Sequence, residues 1–180
     1  MERTLKKKKI DMRNKQILIV VCIAALLISC NQKNKETDSN QFAGLWSLHV
    51  MEQRDSVTGE WNEWRNGMQG YILYDEKDNM SVHLTTKGYQ DTDLRFPNFN
   101  DTIPVGALKH LTGSYVYFAK YSVDKDKGVV EHARISHSNP GEWNVAVQRR
   151  FTFSGDTLTL QPLEEQNSGL RLKWIKSESE

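Results

Sequence analysis

Between residues 42 and 176, apolar and polar residues alternate in short runs, and no other feature of the sequence constrains the fold as strongly. A period of two sends successive side chains to opposite faces of an extended strand. Eight strands can be placed this way. The first spans 45–54, with Trp46, Leu48 and Val50 on one face. The second, 70–75, and the third, 80–86, flank a polar turn and form a hairpin that aligns Met80, Val82 and Leu84. The fourth, 114–124, sets Tyr115, Tyr117, Ala119, Tyr121 and Val123 opposite Lys120 and Ser122, so its tyrosine face is the expected interior. The fifth, 129–136, comes after the turn Lys125-Asp126-Lys127-Gly128. The sixth, 144–154, aligns Val145, Val147, Arg149, Phe151 and Phe153, and Gly155-Asp156 turns it into the seventh, 157–161. The eighth, 170–175, aligns Leu170, Leu172 and Trp174.

Hairpin-length turns between short strands describe an antiparallel meander with one apolar and one wet face. Such a sheet must cover its apolar face, and closing on itself does so while removing exposed edges. The expectation is an all-β fold: an eight-stranded antiparallel up-and-down β-barrel over residues 42–176. Eight strands leave an interior wide enough for packed side chains or for one small ligand. Either outcome suits the aromatic residues expected inside, among them Trp46, Tyr115, Tyr117, Tyr121, Phe151 and Phe153. Residues 87–113 break the pattern, because these 27 residues lack strand alternation, although 107–111 could form a helical turn. Segments this long are usually functional or irregular. This one reads as a flap beside the barrel mouth or as an excursion packed on the outside.

Particular segments carry a family resemblance. Gly44-Leu45-Trp46 is the G-x-W triplet found at the first strand of lipocalins. Gly70-Tyr71-Ile72-Leu73-Tyr74, the turn and Met80-Ser81-Val82 resemble the second hairpin of bacterial lipocalin-like domains. So do Ser114-Tyr115-Val116-Tyr117-Phe118-Ala119-Lys120-Tyr121 followed by Val130-Glu131-His132, and Gln148-Arg149-Arg150-Phe151 leading into Ser154-Gly155-Asp156-Thr157. The resemblance covers most of residues 42–162. It implies an eight-stranded calycin-type barrel with a central cavity and with Trp46 closing the base, but no defined substrate and no agreed catalytic set. The sequence departs at 135–142, where Ser136-His137-Ser138-Asn139-Pro140 stands in place of an apolar-aromatic stretch. A pocket entrance at that position would be more polar than usual.

The candidate ligand-binding residues are Trp46, Tyr117, Tyr121, His132, Arg134, Arg149 and Phe151. Arg149 shares parity with Val147 and Phe151, so it points inward, and a buried guanidinium is costly unless paired. The resemblance implies that it stacks on Trp46 or another aromatic at the closed end. Alternatively it faces a carboxylate or phosphate in the cavity; stacking is the preferred role. In the fifth strand, His132 and Arg134 share one face and Glu131, Ala133 and Ile135 the other, and parity leaves the inward face open. Glu131 inside could neutralise Arg149; His132 inside would join a polar pocket. His49 and His83 are expected to face outward. His132 and His137 are five apart, which places them on opposite faces of a regular strand. No His-x-His pair, helical His-Glu-x-x-His, nucleophile elbow or dinucleotide fingerprint is present, so no metal, cofactor or catalytic residue is assigned.

Upstream, the chain reads as an address. Lys6 to Lys9, Arg13 and Lys15 form a basic stretch ahead of an uncharged run of 12 residues, 17–28. A membrane-spanning helix needs about 20 apolar residues, so this run suits a cleaved signal. Leu27-Ile28-Ser29-Cys30 resembles the bacterial lipobox, which implies a signal peptide over 1–29, acylation of Cys30, and a flexible polar tether over 30–41. Two or more acyl chains hold a protein firmly on a membrane. Asn31 resembles an outer-membrane address, and residues 31–35 lack an acidic export cluster. The expected location is therefore the bacterial cell envelope, lipid-anchored at the outer membrane and facing the periplasm. The whole chain carries a formal net charge of +1, but residues 1–29 hold seven Lys plus Arg and two Asp plus Glu. The mature part is left with 17 basic and 21 acidic residues, a side-chain charge of −4. That balance argues against nucleic-acid binding.

The leading functional expectation is an envelope lipoprotein that binds a small hydrophobic or amphipathic molecule in the barrel. The alternative is a non-catalytic scaffold for another envelope protein. An enzyme acting on a small hydrophobic substrate ranks third, since fold alone does not decide activity.

Overall fold

The computed structural model describes residues 41–64, 66–98 and 101–177. The signal peptide, Cys30 and nearly all of the tether lie outside the described residues. The elements, in chain order, are β1 (Gly44–Arg54), β2 (Trp61–Glu63), β3 (Met68–Tyr74), β4 (Asn79–Thr86), α1 (Val105–Leu111), β5 (Ser114–Asp124), β6 (Val129–His137), β7 (Ala146–Ser154), β8 (Thr157–Pro162) and β9 (Leu170–Lys176). Every sheet pairing is antiparallel, each barrel strand pairs with the next, and β9 returns to pair with β1. Eight strands thus close the expected up-and-down barrel. The additional strand, β2, pairs only with the end of β1. Its three residues are too short a run for period-two alternation to reveal.

The connections sort by length. β3–β4, β5–β6 and β7–β8 are joined by tight turns at one end of the barrel. The links from β1 to β3, β4 to β5, β6 to β7 and β8 to β9 are longer, and an up-and-down meander gathers them at the other end. The 87–113 segment is one of these, so it sits beside the long-loop mouth. There α1 buries Leu111, and Tyr89 stacks on His110, with ring centroids 4.9 Å apart.

Two β-bulges alter the simple alternation. In β1 the register to β9 shifts at His49, between Leu48 opposite Trp174 and Val50 opposite Lys173. One extra residue reverses the parity of the strand beyond it. Trp46 is therefore buried as expected, but past the bulge it is Met51, not Val50, that is buried. In β6 the register to β5 shifts at Ile135, with Arg134 opposite Ala119 and Ser136 opposite Phe118. Ile135 is ejected to 53% exposure, and both His132 and His137 turn inward despite their odd spacing.

Elsewhere the expected interior parity holds. Met80, Val82 and Leu84 are buried, as are Tyr117, Ala119 and Tyr121. Gly70 in β3 has φ +145°, and a Cβ there would lie 2.0 Å from the carbonyl oxygen of His83. Only glycine lets β3 and β4 approach this closely at that point.

The tight-turn end is filled by aromatic rings. Phe42, just ahead of β1, packs edge-on against Tyr74, Phe151 and Phe153 at centroid distances of 5.0–5.2 Å. The Trp46 indole N–H donates to the carbonyl of Phe42 at 2.7 Å, which ties the plug to β1. Phe42 is almost fully buried, and burying an aromatic ring of this size is worth several kcal/mol.

Candidate functional site

The long-loop end is not filled. A cavity of about 380 Å³ opens there and reaches into the barrel. Ile72 and Val82 line one wall, and Leu160, Leu172 and Trp174 another. Met51, Trp64 and Met68 line its outer part, and Thr112 and Gly113 bring the end of the 87–113 segment to the rim beside Ser114 of β5. That segment therefore contributes directly to the cavity wall. Volume and lining fall within the range of small-molecule sites, which are mostly apolar with a few placed polar groups.

The polar groups come from β5, β6 and β7. His132 is fully buried on β6, and parity alone could not place it there; cross-strand register does. Its Nε2 lies 2.9 Å from the hydroxyl of Tyr74 and its Nδ1 lies 2.8 Å from the hydroxyl of Tyr117. Burial, with Arg149 and Arg134 nearby, pushes the imidazole pKa down to about 3, so His132 is neutral near pH 7. Burial likewise raises the phenol pKa values of Tyr74 and Tyr117, and both stay protonated. Tyr117 and His132 face the cavity, whereas Tyr74 stands behind them.

Arg149 also lines the cavity. It does not stack on Trp46: Lys176 occupies that position, with Nζ 5.3 Å from the ring centroid. Arg149 instead directs one terminal nitrogen to both oxygens of Glu164 at 2.7 Å and to the carbonyl of Gln148 at 2.9 Å. Its counter-charge comes from the β8–β9 link rather than from Glu131, which accepts from Gln148 Nε2 on the outside.

Arg134 is buried on the same face of β6 as His132. It pairs with Glu142 from the turn after Pro140, donates to the Tyr115 hydroxyl at 3.2 Å, and lies over the Tyr117 ring at 5.1 Å. His137 stacks on the other portion of this cluster, 5.7 Å from Tyr117 and nearly parallel to it. The Asn139 N–H donates to His137 Nδ1 at 2.7 Å, and burial beside Arg134 lowers the imidazole pKa. The polar stretch at 135–142 thus supplies the supports behind Tyr115 and Tyr117 rather than a plain rim.

Of the seven candidates, Tyr117, His132 and Arg149 converge on the cavity. Arg134 backs Tyr117 without lining the space. Trp46, Tyr121 and Phe151 belong to the filled end, where Tyr121 donates to the Asp75 carbonyl at 2.7 Å. Cavity residues outside that candidate set include Met51, Trp174 and Tyr115. The bulge at His49 hid Met51, but parity with Leu172 and with Tyr117 already placed Trp174 and Tyr115 inside. Glu164 had no sequence signal, because it lies in a link without periodicity. Among the described residues, no group of three or more His, Cys, Asp and Glu is placed to hold a metal ion.

These features define a cavity-bearing up-and-down β-barrel. The chain belongs to the lipocalin-like domain family, whose family model matches residues 43–177. Among solved structures it is similar to a redesigned β-barrel, at 14% identity and a TM-score of 0.39, over 78% of this chain and 95% of that one. No curated protein matches the sequence.

Proposed function

We propose that the protein is an envelope-anchored lipocalin-like lipoprotein whose barrel holds a small hydrophobic or amphipathic molecule. The observation that carries this reading is the 380 Å³ cavity at the long-loop end, with apolar walls and a small polar set formed by Tyr117, His132 and Arg149. The apolar walls suit the body of such a molecule, and the polar set suits one oriented end. The anchor rests on Leu27-Ile28-Ser29-Cys30 and the polar residues just after it, with the outer membrane facing the periplasm as the proposed location.

Native mass spectrometry on protein purified gently from its own envelope tests the binding role. A reproducible small-molecule mass, lost on unfolding, is expected. The anchor has a separate test: Cys30→Ala should abolish lipid labelling and leave the precursor uncleaved, and unchanged labelling would defeat it.

A second reading draws on the outer wall. Leu45 pairs with Leu73, Leu73 with Ser81 and Ser81 with Phe118, so three exposed apolar residues lie in one row across the barrel. This row suits a scaffold for another envelope protein. An empty barrel that retains one specific envelope protein would favour it.

A further inference from the structure

The outer wall beside the tether carries a compact apolar patch. Leu45 on β1 pairs with Leu73 on β3, and Ser47, two residues on, pairs with Tyr71 on one side and with Ile175 of β9 on the other. Strand alternation points all of these side chains outward, and Leu45, Tyr71, Leu73 and Ile175 are exposed. Ser47 at the centre is already satisfied, because its hydroxyl donates to the carbonyl of Ile175. The outer-wall neighbours on the flanking strands are Ser81, His83 and Thr157, so no carboxylate interrupts the patch from either side. An exposed apolar cluster with a polar margin marks a contact site.

Its position says what covers it. The patch is centred on the first half of β1, the strand that the tether feeds, and Leu45 stands fifteen residues after Cys30. A flexible tether over 30–41 has an end-to-end distance of about 20 Å, so a lipid on Cys30 keeps the patch at a millimolar effective concentration against the bilayer. At that concentration a weak contact suffices, and apolar side chains and a tyrosine settle readily at the headgroup boundary. Phe118 does not belong to the same face. Four strand steps, β9–β1–β3–β4–β5, separate it from Ile175, half-way around an eight-stranded barrel, and one flat surface cannot touch both.

We infer that the β9–β1–β3 wall rests on the bilayer that holds the Cys30 lipid, through Leu45, Tyr71, Leu73 and Ile175. This contact rests on the proposed anchor and adds which wall of the barrel meets the membrane. β6, across the barrel from β1, then faces water. Ile135 on β6 is the natural reference, because it is apolar and 53% exposed, against 45% for Leu73.

The sequence contains two cysteines, Cys22 in the proposed signal and Cys30 at the lipid site, so an introduced cysteine is the free thiol of the mature chain. The full chain, processed and lipidated, is placed in nanodiscs of phosphatidylethanolamine and phosphatidylglycerol, and a water-soluble maleimide reports access. Leu73→Cys should label about fivefold more slowly than Ile135→Cys, the protection given when the effective concentration exceeds the contact's dissociation constant a few times. Adding Tyr71→Asp puts a charge in the patch and should return the ratio to near one. A second readout leaves the chain unaltered: a gadolinium-labelled headgroup lipid should broaden the Ile175 amide resonance and spare that of Ile135. It stands whether or not the variants fold. Equal labelling in discs, with Ile175 and Ile135 broadened alike, would overturn the contact and leave the anchor intact. Equal labelling in discs but slow labelling of Leu73→Cys in native envelope vesicles would overturn it in favour of a protein partner. Protection that survives Tyr71→Asp would overturn it as shielding within the barrel wall. A chain that does not stay with the discs would overturn the anchor as well.

Discussion

The two ends of the barrel use the same strands and solve opposite problems. At the tight-turn end the connections are too short to fold over the opening, and Phe42 from upstream of β1 fills it against Tyr74, Phe151 and Phe153. At the other end the long links stand around the opening, and the space between the strands stays free. Strand parity put Trp46, Tyr121 and Phe151 inside the barrel, where they pack around the plug and serve closure. The residues free to serve binding are those beyond the plug, where Tyr117, His132, Arg149 and Trp174 meet the cavity. Packed core and open cavity are thereby separated along the barrel axis.

Substitutions can break that contrast or sharpen it. The largest effect is expected for Phe42→Ala, which removes the centre of the plug and should cost about 3–5 kcal/mol in urea unfolding. A loss below about 1 kcal/mol would mean that the tight-turn end is not closed by packing.

His132→Gln comes next, and its signature is pH dependence. The folded-state pKa of His132 is depressed to about 3, so the unfolded chain binds one more proton between that value and the ordinary imidazole value near 6.5. The stabilisation is full above about pH 6.5 and is lost as pH falls towards 3. His132 should contribute up to about 1.4 kcal/mol per pH unit in that window. His137, also depressed, adds a slope of the same sign. His132→Gln should therefore flatten the stability–pH curve by about one proton without removing the slope entirely. An unchanged slope would place the titration elsewhere.

At the cavity wall, Leu172→Ala removes a partly buried side chain that already borders empty space. The lost contact is mainly a transfer term, so a cost of about 1–2 kcal/mol is expected, clearly below that of Phe42→Ala. A cost equal to the plug substitution would show that this end is packed as tightly as the other. The smallest stability effect is expected for Arg149→Met. Glu164 is a quarter exposed and can be rehydrated when its partner leaves, so about 1 kcal/mol is expected. Retention of amphipathic molecules should change while the melt barely moves.

The strands, their turns and most of the interior were legible in the sequence, because period two is a local property of each run. Val82, Ala119 and Tyr117 face inward for that reason alone. The long segment at 87–113 was visible as a break in the same pattern. Tertiary structure decided what local parity cannot carry. The bulges at His49 and Ile135 exist only relative to a neighbouring strand, and they alone bring Met51 and His137 inside. The inward face of β6 depends on β5 and β7 on either side of it. The partner of Arg149 comes from a link fifteen residues away with no periodicity of its own. The cavity itself is a volume left between eight strands, set by how their side chains converge from across the barrel, and no single run of residues encodes it.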